Sequence, residues 1–112
     1  MTRQILFLQA AQQLLAQYAE ALNSANTALL PTLYTPDGVF MPAGVASLPA
    51  SALPGKGAGF FAKTRFHISY AVQDVTVAGE YAFVQATART ATTDLATGRE
   101  VARTSRDFFV LR

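Results

Sequence analysis

The sequence predicts an α+β domain with its helices first and an antiparallel meander after them. Three observations carry this. Apolar residues recur at three- and four-residue steps near the N terminus, as on one face of a helix. From Phe66 onward the period becomes two, the signature of strands. The strand-like runs then follow one another through short turns with no helix between them, which excludes a βαβ arrangement.

Composition sets the bounds. The 112 residues suffice for one core, read as a single domain over residues 1–112. Cysteine is absent, so thiol catalysis and cysteine-based zinc sites are excluded, and a reducing compartment fits. The longest early apolar run, Ile5-Leu6-Phe7-Leu8, is too short for a signal-peptide core or a membrane span. The expectation is a cytoplasmic protein with no membrane partner. The net charge of +2 comes from scattered Lys and Arg, without the clustered footprint that nucleic acid requires.

Residues 4 to 23 read as an amphipathic helix, with Leu8, Ala11, Leu15, Tyr18 and Leu22 on one face and glutamines on the other. Asn23-Ser24-Ala25-Asn26 ends it, and Asn26 or Thr27 can cap a second, shorter helix reaching about Tyr34. Pro31 limits that helix, because it lacks a backbone donor. Thr35-Pro36-Asp37-Gly38 is a turn, followed by a short strand, Val39-Phe40-Met41, stopped by Pro42. Residues 42 to 59 are rich in proline and glycine and read as a long irregular loop. Its end, Gly55-Lys56-Gly57-Ala58-Gly59, lacks the Ser or Thr after Lys that a phosphate-binding loop needs, and leads into a short helix with Phe60 and Phe61.

Phe66, Ile68, Tyr70 and Val72 alternate with polar or small residues, and Val75 and Val77 continue in a shifted phase. A bulge near Gln73-Asp74 follows from that shift. Gly79-Glu80 turns the chain into a strand from Tyr81 to about Thr93, and Asp94 to Gly98 form a hairpin loop with positive φ expected at Gly98. The last strand, within residues 99 to 112, carries the carboxylate Asp107 into apolar company.

Pairing Thr93 with Arg99 across that loop would set Gln85 opposite Asp107 and Phe83 opposite Phe109. One face then joins Phe83, Gln85, Thr87 and Arg89 with Asp107 and Phe109, apolar walls with convergent polar groups, as in a ligand cavity. The other face, with Val84, Ala86 and Ala88, would be low in relief and suited to a partner subunit. The alternative is that the first face is wet and the second is the core, since a slip of one residue exchanges them.

The order and spacing of these pieces resemble the nuclear-transport-factor-2-like superfamily, in particular its SnoaL-like and ketosteroid-isomerase-like members. The residues that carry the resemblance are Tyr18 to Asn23, Leu33 to Phe40, Gly55-Lys56 ahead of Phe60-Phe61, Gly79 to Val84, Ala96-Thr97-Gly98 and Asp107 to Arg112. The resemblance implies a curved antiparallel sheet wrapped round a long N-terminal helix into a cone, and a homodimer through the sheet. It also implies one further strand after the segment ending at Arg112, so that either a tail follows beyond these residues or another subunit covers the exposed edge.

The same resemblance sets Tyr18 where ketosteroid isomerases have the tyrosine that donates to the substrate oxyanion. Asp107 falls where they have a protonated aspartic acid, and Phe109 lines the same wall. Their catalytic aspartate base has no counterpart, because the corresponding segment reads Phe40-Met41-Pro42 and neither Met nor Pro takes a proton. Asp37 belongs to the turn. Tyr18 can equally be a core residue with its hydroxyl at an edge, and Asp107 the partner of Arg89, Arg103 or Arg106.

His67 is expected on the outward face, without a catalytic partner, and the sequence offers no metal constellation. The leading expectation is a cofactor-independent protein that binds a small apolar or amphipathic molecule. Tyr18 and Asp107 would be oxyanion donors, and Phe40, Met41, Phe60, Phe61, Tyr70, Phe83, Gln85, Thr87, Arg89 and Phe109 would line the site. Any reaction would be proton transfer near a carbonyl, as in isomerases and polyketide cyclases. The alternative is a non-catalytic dimerisation or assembly module with a vestigial pocket.

Overall fold

The computed structural model describes residues 3–42 and 44–112, with side chains from residue 7 onward. Helix α1 spans Arg3–Asn23. Its end is a Schellman-type cap: Asn26 N–H donates to the Ala21 carbonyl at 2.8 Å and Ala25 N–H to that of Leu22 at 3.2 Å. Ala25 takes the left-handed conformation this cap needs, with φ +56°. The expected second helix is smaller than its residues suggested. Turns lead to one 3₁₀ segment, Leu30–Leu33, with Pro31 in its first turn, and neither Asn26 nor Thr27 caps it.

Strand β1, Val39–Phe40, pairs with β2, Leu48–Pro49, inside the stretch expected to be irregular. A short 3₁₀ turn, Ala50–Ala52, then leads to helix α2, Leu53–Lys63. Its three glycines lie within the helix. Gly57 is needed there, because an added Cβ would stand 2.9 Å from the Thr27 methyl group. Residue 43 of the expected loop lies outside the described residues.

The main sheet has the order β3-β4-β5, from strands Thr64–Ala78, Tyr81–Asp94 and Glu100–Leu111. Its ladder shifts between Val72 and Asp74, the bulge that the phase change implied. Gly79 at φ +60° and Gly98 at φ +75° make the two turns.

The second hairpin corrects the expected register. Thr93 faces Glu100, not Arg99, so Gln85 opposes Phe108, Ala86 opposes Asp107 and Val84 opposes Phe109. Asp94 is the physical cause. Its carboxylate accepts from Ala96 and Thr97 N–H at 2.8 and 3.1 Å, its carbonyl accepts from Gly98 N–H at 2.7 Å, and its own N–H donates to the Arg99 carbonyl at 2.9 Å. The loop therefore closes one residue further on, and every β5 side chain changes face.

The alanine-rich face is the core, not a subunit surface. Ala82, Val84 and Ala86 are buried with Val75 of β3 and with Ala11 and Leu15 of α1. Small residues on β4 let the helix approach closely while larger ones on β3 and β5 flank it. Burying a Leu or Val side chain here contributes roughly 1.5–3 kcal/mol.

Candidate functional site

Three tyrosines meet at the end of α1. Tyr18 is buried at 9% exposure in a cluster with Ala21, Leu30, Ala50 and Leu53, against which Tyr34, Phe40 and Tyr70 pack. The Tyr18 and Tyr34 hydroxyls are 2.8 Å apart. The Tyr70 ring centroid lies 6.4 Å from that of Tyr18 and 5.6 Å from that of Phe109, which it meets edge-on.

Each phenol is positioned by its local fold. The three- and four-residue periodicity of α1 turns Tyr18 inward with Leu15, Ala21 and Leu22. Tyr34 follows the Pro31 turn, and its N–H donates to the Pro31 carbonyl at 3.2 Å. The next turn closes with Gly38 N–H on the Thr35 carbonyl at 2.8 Å. A Cβ at Gly38 would lie 2.9 Å from the Tyr34 side chain, so glycine is what allows that ring to settle there.

Asp107 stands on the same inner face of the sheet, in a row with Ala86 and Val72. Of the seven acidic residues it alone is not exposed. It accepts a hydrogen bond from Ser105 Oγ at 2.7 Å, and no basic side chain among the described residues pairs with it.

The electrostatics follow from burial. Desolvation pushes the Tyr18 hydroxyl far above its usual range, with smaller contributions from Tyr34, Tyr70 and the Asp107 charge. Burial, then the Asp107 charge, does the same for Tyr70. Tyr34 is also raised by burial, partly offset by its bond with Tyr18. All three therefore remain neutral donors, beside one carboxyl group that can accept.

The profile of the SnoaL-like domain matches residues 15–112. The chain belongs to that family. Solved structures agree on the fold. A conserved protein from Planctomyces limnophilus superposes with a TM-score of 0.84 at 14% identity, over 93% of this chain and 81% of the other. A ketosteroid isomerase-like protein from Erwinia carotovora reaches 0.76 at 26% identity, over 92% and 82%. A putative aromatic ring hydroxylase from Novosphingobium aromaticivorans reaches 0.78 at 22% identity, over 93% and 76%. No protein of curated function matches the sequence. The α+β fold is that of the nuclear-transport-factor-2-like and ketosteroid-isomerase-like proteins.

In this SnoaL-like domain, Tyr18, Phe40, Tyr70 and Phe109 pack in one aromatic group, with Asp107 on the same side of the sheet. The remaining expected lining residues do not join them. Phe83, Gln85, Thr87 and Arg89 point to the outer face of the sheet, because the β4 positions between them are the buried ones. Gln85 and Thr87 instead line a depression of about 230 Å³ with Gln73, Arg106 and Phe108 and the adjoining Ala86 and Asp107. Met41 is 75% exposed, since β1 ends at Phe40 before it. Phe60 and Phe61 pack with Phe66, at centroid distances of 5.6 and 6.3 Å, in an aromatic group of their own.

Tyr34 is the residue that sequence reasoning missed. Its signal was present in Leu33-Tyr34-Thr35-Pro36-Asp37-Gly38, where a tyrosine directly precedes a turn with a required glycine. Asp37 is exposed in that turn, and its carboxyl is held below the usual range chiefly by the Thr35 hydroxyl. His67 is exposed on the outer face.

Proposed function

We propose that the tyrosine cluster binds a small amphipathic molecule, and that a Tyr18 or Tyr34 hydroxyl donates to an oxygen of that ligand. The observation that carries this reading is the 2.8 Å hydroxyl pair. Two phenols bring two protons, and their mutual bond uses one. The second proton is available to an acceptor, and the mutual bond strengthens it as a donor.

Asp107, with Ser105 on its carboxylate, supplies an acceptor for a ligand hydroxyl, while Phe40, Tyr70 and Phe109 supply the apolar wall. A ligand with one carbonyl and one hydroxyl on an apolar body satisfies this set. Polarising a carbonyl in this way is the first half of an isomerase or cyclase reaction. The second half needs a base, and the exposed Asp37 is poorly placed for it. Binding therefore has more support than turnover, and neither calls for a cofactor. Calorimetric titration with an aryl ketone, on the parent chain and on Tyr18→Phe, tests the reading.

A second reading, assembly of two copies through the sheet, is favoured by the outer face. Phe108 is 62% and Val110 53% exposed there, with Phe83 stacked on Phe108 at 6.1 Å. Exposed apolar side chains adjacent in one sheet face are what a partner surface requires. Sedimentation of the parent chain and of Phe108→Ser distinguishes a dimer lost on substitution from a monomer in both.

A further inference from the structure

Helix α1 runs beside β3 and leaves a groove of about 400 Å³ between the helix and that strand. Gln12, Ala16 and Ala19 form one wall, and Tyr70, Ala71 and Val72 the other. Strand β3 is a sheet edge, hydrogen-bonded to β4 alone. An edge presents unpaired main-chain N–H and C=O groups.

One part of this edge is already occupied, and the occupant is instructive. The Asn23 carboxamide donates from Nδ2 to the Ile68 carbonyl at 3.0 Å and accepts from Ile68 N–H at 2.7 Å. It stands where the peptide group of an adjacent strand would stand. Main-chain groups on an antiparallel strand alternate in direction, and the β3 register is unbroken from Thr64 to Val72. The N–H and C=O of Tyr70 and Val72, two and four residues beyond Ile68, therefore face the same way as those of Ile68. Among the described residues no hydrogen bond reaches them from that side.

We propose that this groove binds a short, extended peptide main chain, bonded to Tyr70 and Val72 as the Asn23 amide is to Ile68. The dimensions set its length. From Gln12 to Ala19 the helix rises about 10 Å, the span of about three strand residues. The alanine wall admits a backbone with small side chains, and no charged side chain lines the groove, so the segment is neutral. Gln12 offers a further donor and acceptor to its peptide groups. Strand addition of this kind draws its affinity from main-chain bonds. The groove shares Tyr70 with the tyrosine cluster, but the proposed bonds use the Tyr70 main chain and not its ring.

The test is a titration of the full ¹⁵N-labelled chain with N-acetyl-Ala-Ala-N′-methylamide, followed through backbone amide resonances. Support consists of saturable movement of the Tyr70 and Val72 amides together, with Ile68 held by Asn23. Ala16→Phe, at an exposed helix position, fills the groove and should weaken binding by roughly tenfold. Stationary Tyr70 and Val72 resonances up to the solubility of the peptide would overturn the proposal, whatever the variant does. So would acetamide binding as tightly as the peptide, since a single-amide site needs no extended chain.

Discussion

The hydroxyls of Tyr18 and Tyr34 meet at 2.8 Å, although one residue lies in a long helix and the other just after a proline turn. Neither element alone positions a donor. Their junction does, and it creates a part-buried pair of phenols with one proton to spare.

The pair should be energetically coupled. Tyr18→Phe and Tyr34→Phe each remove a hydroxyl whose partner stays partly buried, at a cost of about 1 kcal/mol. In a double-mutant cycle by urea denaturation, the second substitution should cost less than the first, with a coupling of about 0.5–1.5 kcal/mol. Strict additivity would mean that the hydroxyls do not bond.

Alkaline pH should destabilise the fold through the same residues. Tyr18, Tyr34 and Tyr70 are raised in the folded state above the ordinary value of 10.0. Below pH 10 both states keep these protons. Above it the unfolded chain releases protons that the folded chain retains, so stability falls as pH rises, by up to about 1.4 kcal/mol per unit for each group. Denaturation at about pH 8 and about pH 11 measures the loss, and tyrosinate absorbance of Tyr18 and Tyr70 should appear only with unfolding.

Gly38→Ala should disturb the site from outside it. The new Cβ would lie 2.9 Å from the Thr35 carbonyl oxygen and from two carbons of Tyr34. Relief requires the Tyr34 ring to move off Tyr18, at about 1–3 kcal/mol of stability. The near-ultraviolet circular dichroism should change along with the denaturation midpoint.

Asn23 should stabilise the edge of β3. Asn23→Ala removes both bonds to Ile68, at about 1–2 kcal/mol, and Asn23→Asp keeps only an acceptor for the Ile68 N–H and should fall between. Amide hydrogen exchange at Ile68 should accelerate in the same order.

Much of the fold was legible because it rests on local pattern. Helical periodicity located α1, the phase change at Gln73 located the bulge, and the glycines at 79 and 98 located the turns. The faces of the last hairpin were not legible, because they depend on a single register choice. Asp94 made that choice by folding its carboxylate back onto the loop, an interaction that alternation does not record. The helix carrying Phe60 and Phe61 was expected, but its start at Leu53, inside the stretch read as a loop, was not, for a related reason. Its glycines weaken a helix locally, but Gly57 is the residue that lets it pass Thr27. Asp107 stood out from the alternation of the last strand and Tyr18 from the helix face, and their suggested roles came from the family resemblance. The pairing of Tyr34 with Tyr18 is a tertiary contact that local pattern does not record.

Binding of an aryl ketone is the most direct test of the central claim. In calorimetric titration with 4′-hydroxyacetophenone, whose carbonyl suits a phenol donor and whose hydroxyl suits Asp107, the parent chain should bind saturably. Tyr18→Phe should weaken that binding by roughly tenfold, about 1.4 kcal/mol, while leaving the fold intact. No saturable heat from the parent chain, or equal affinity in both proteins, would contradict a donor role for the tyrosine pair.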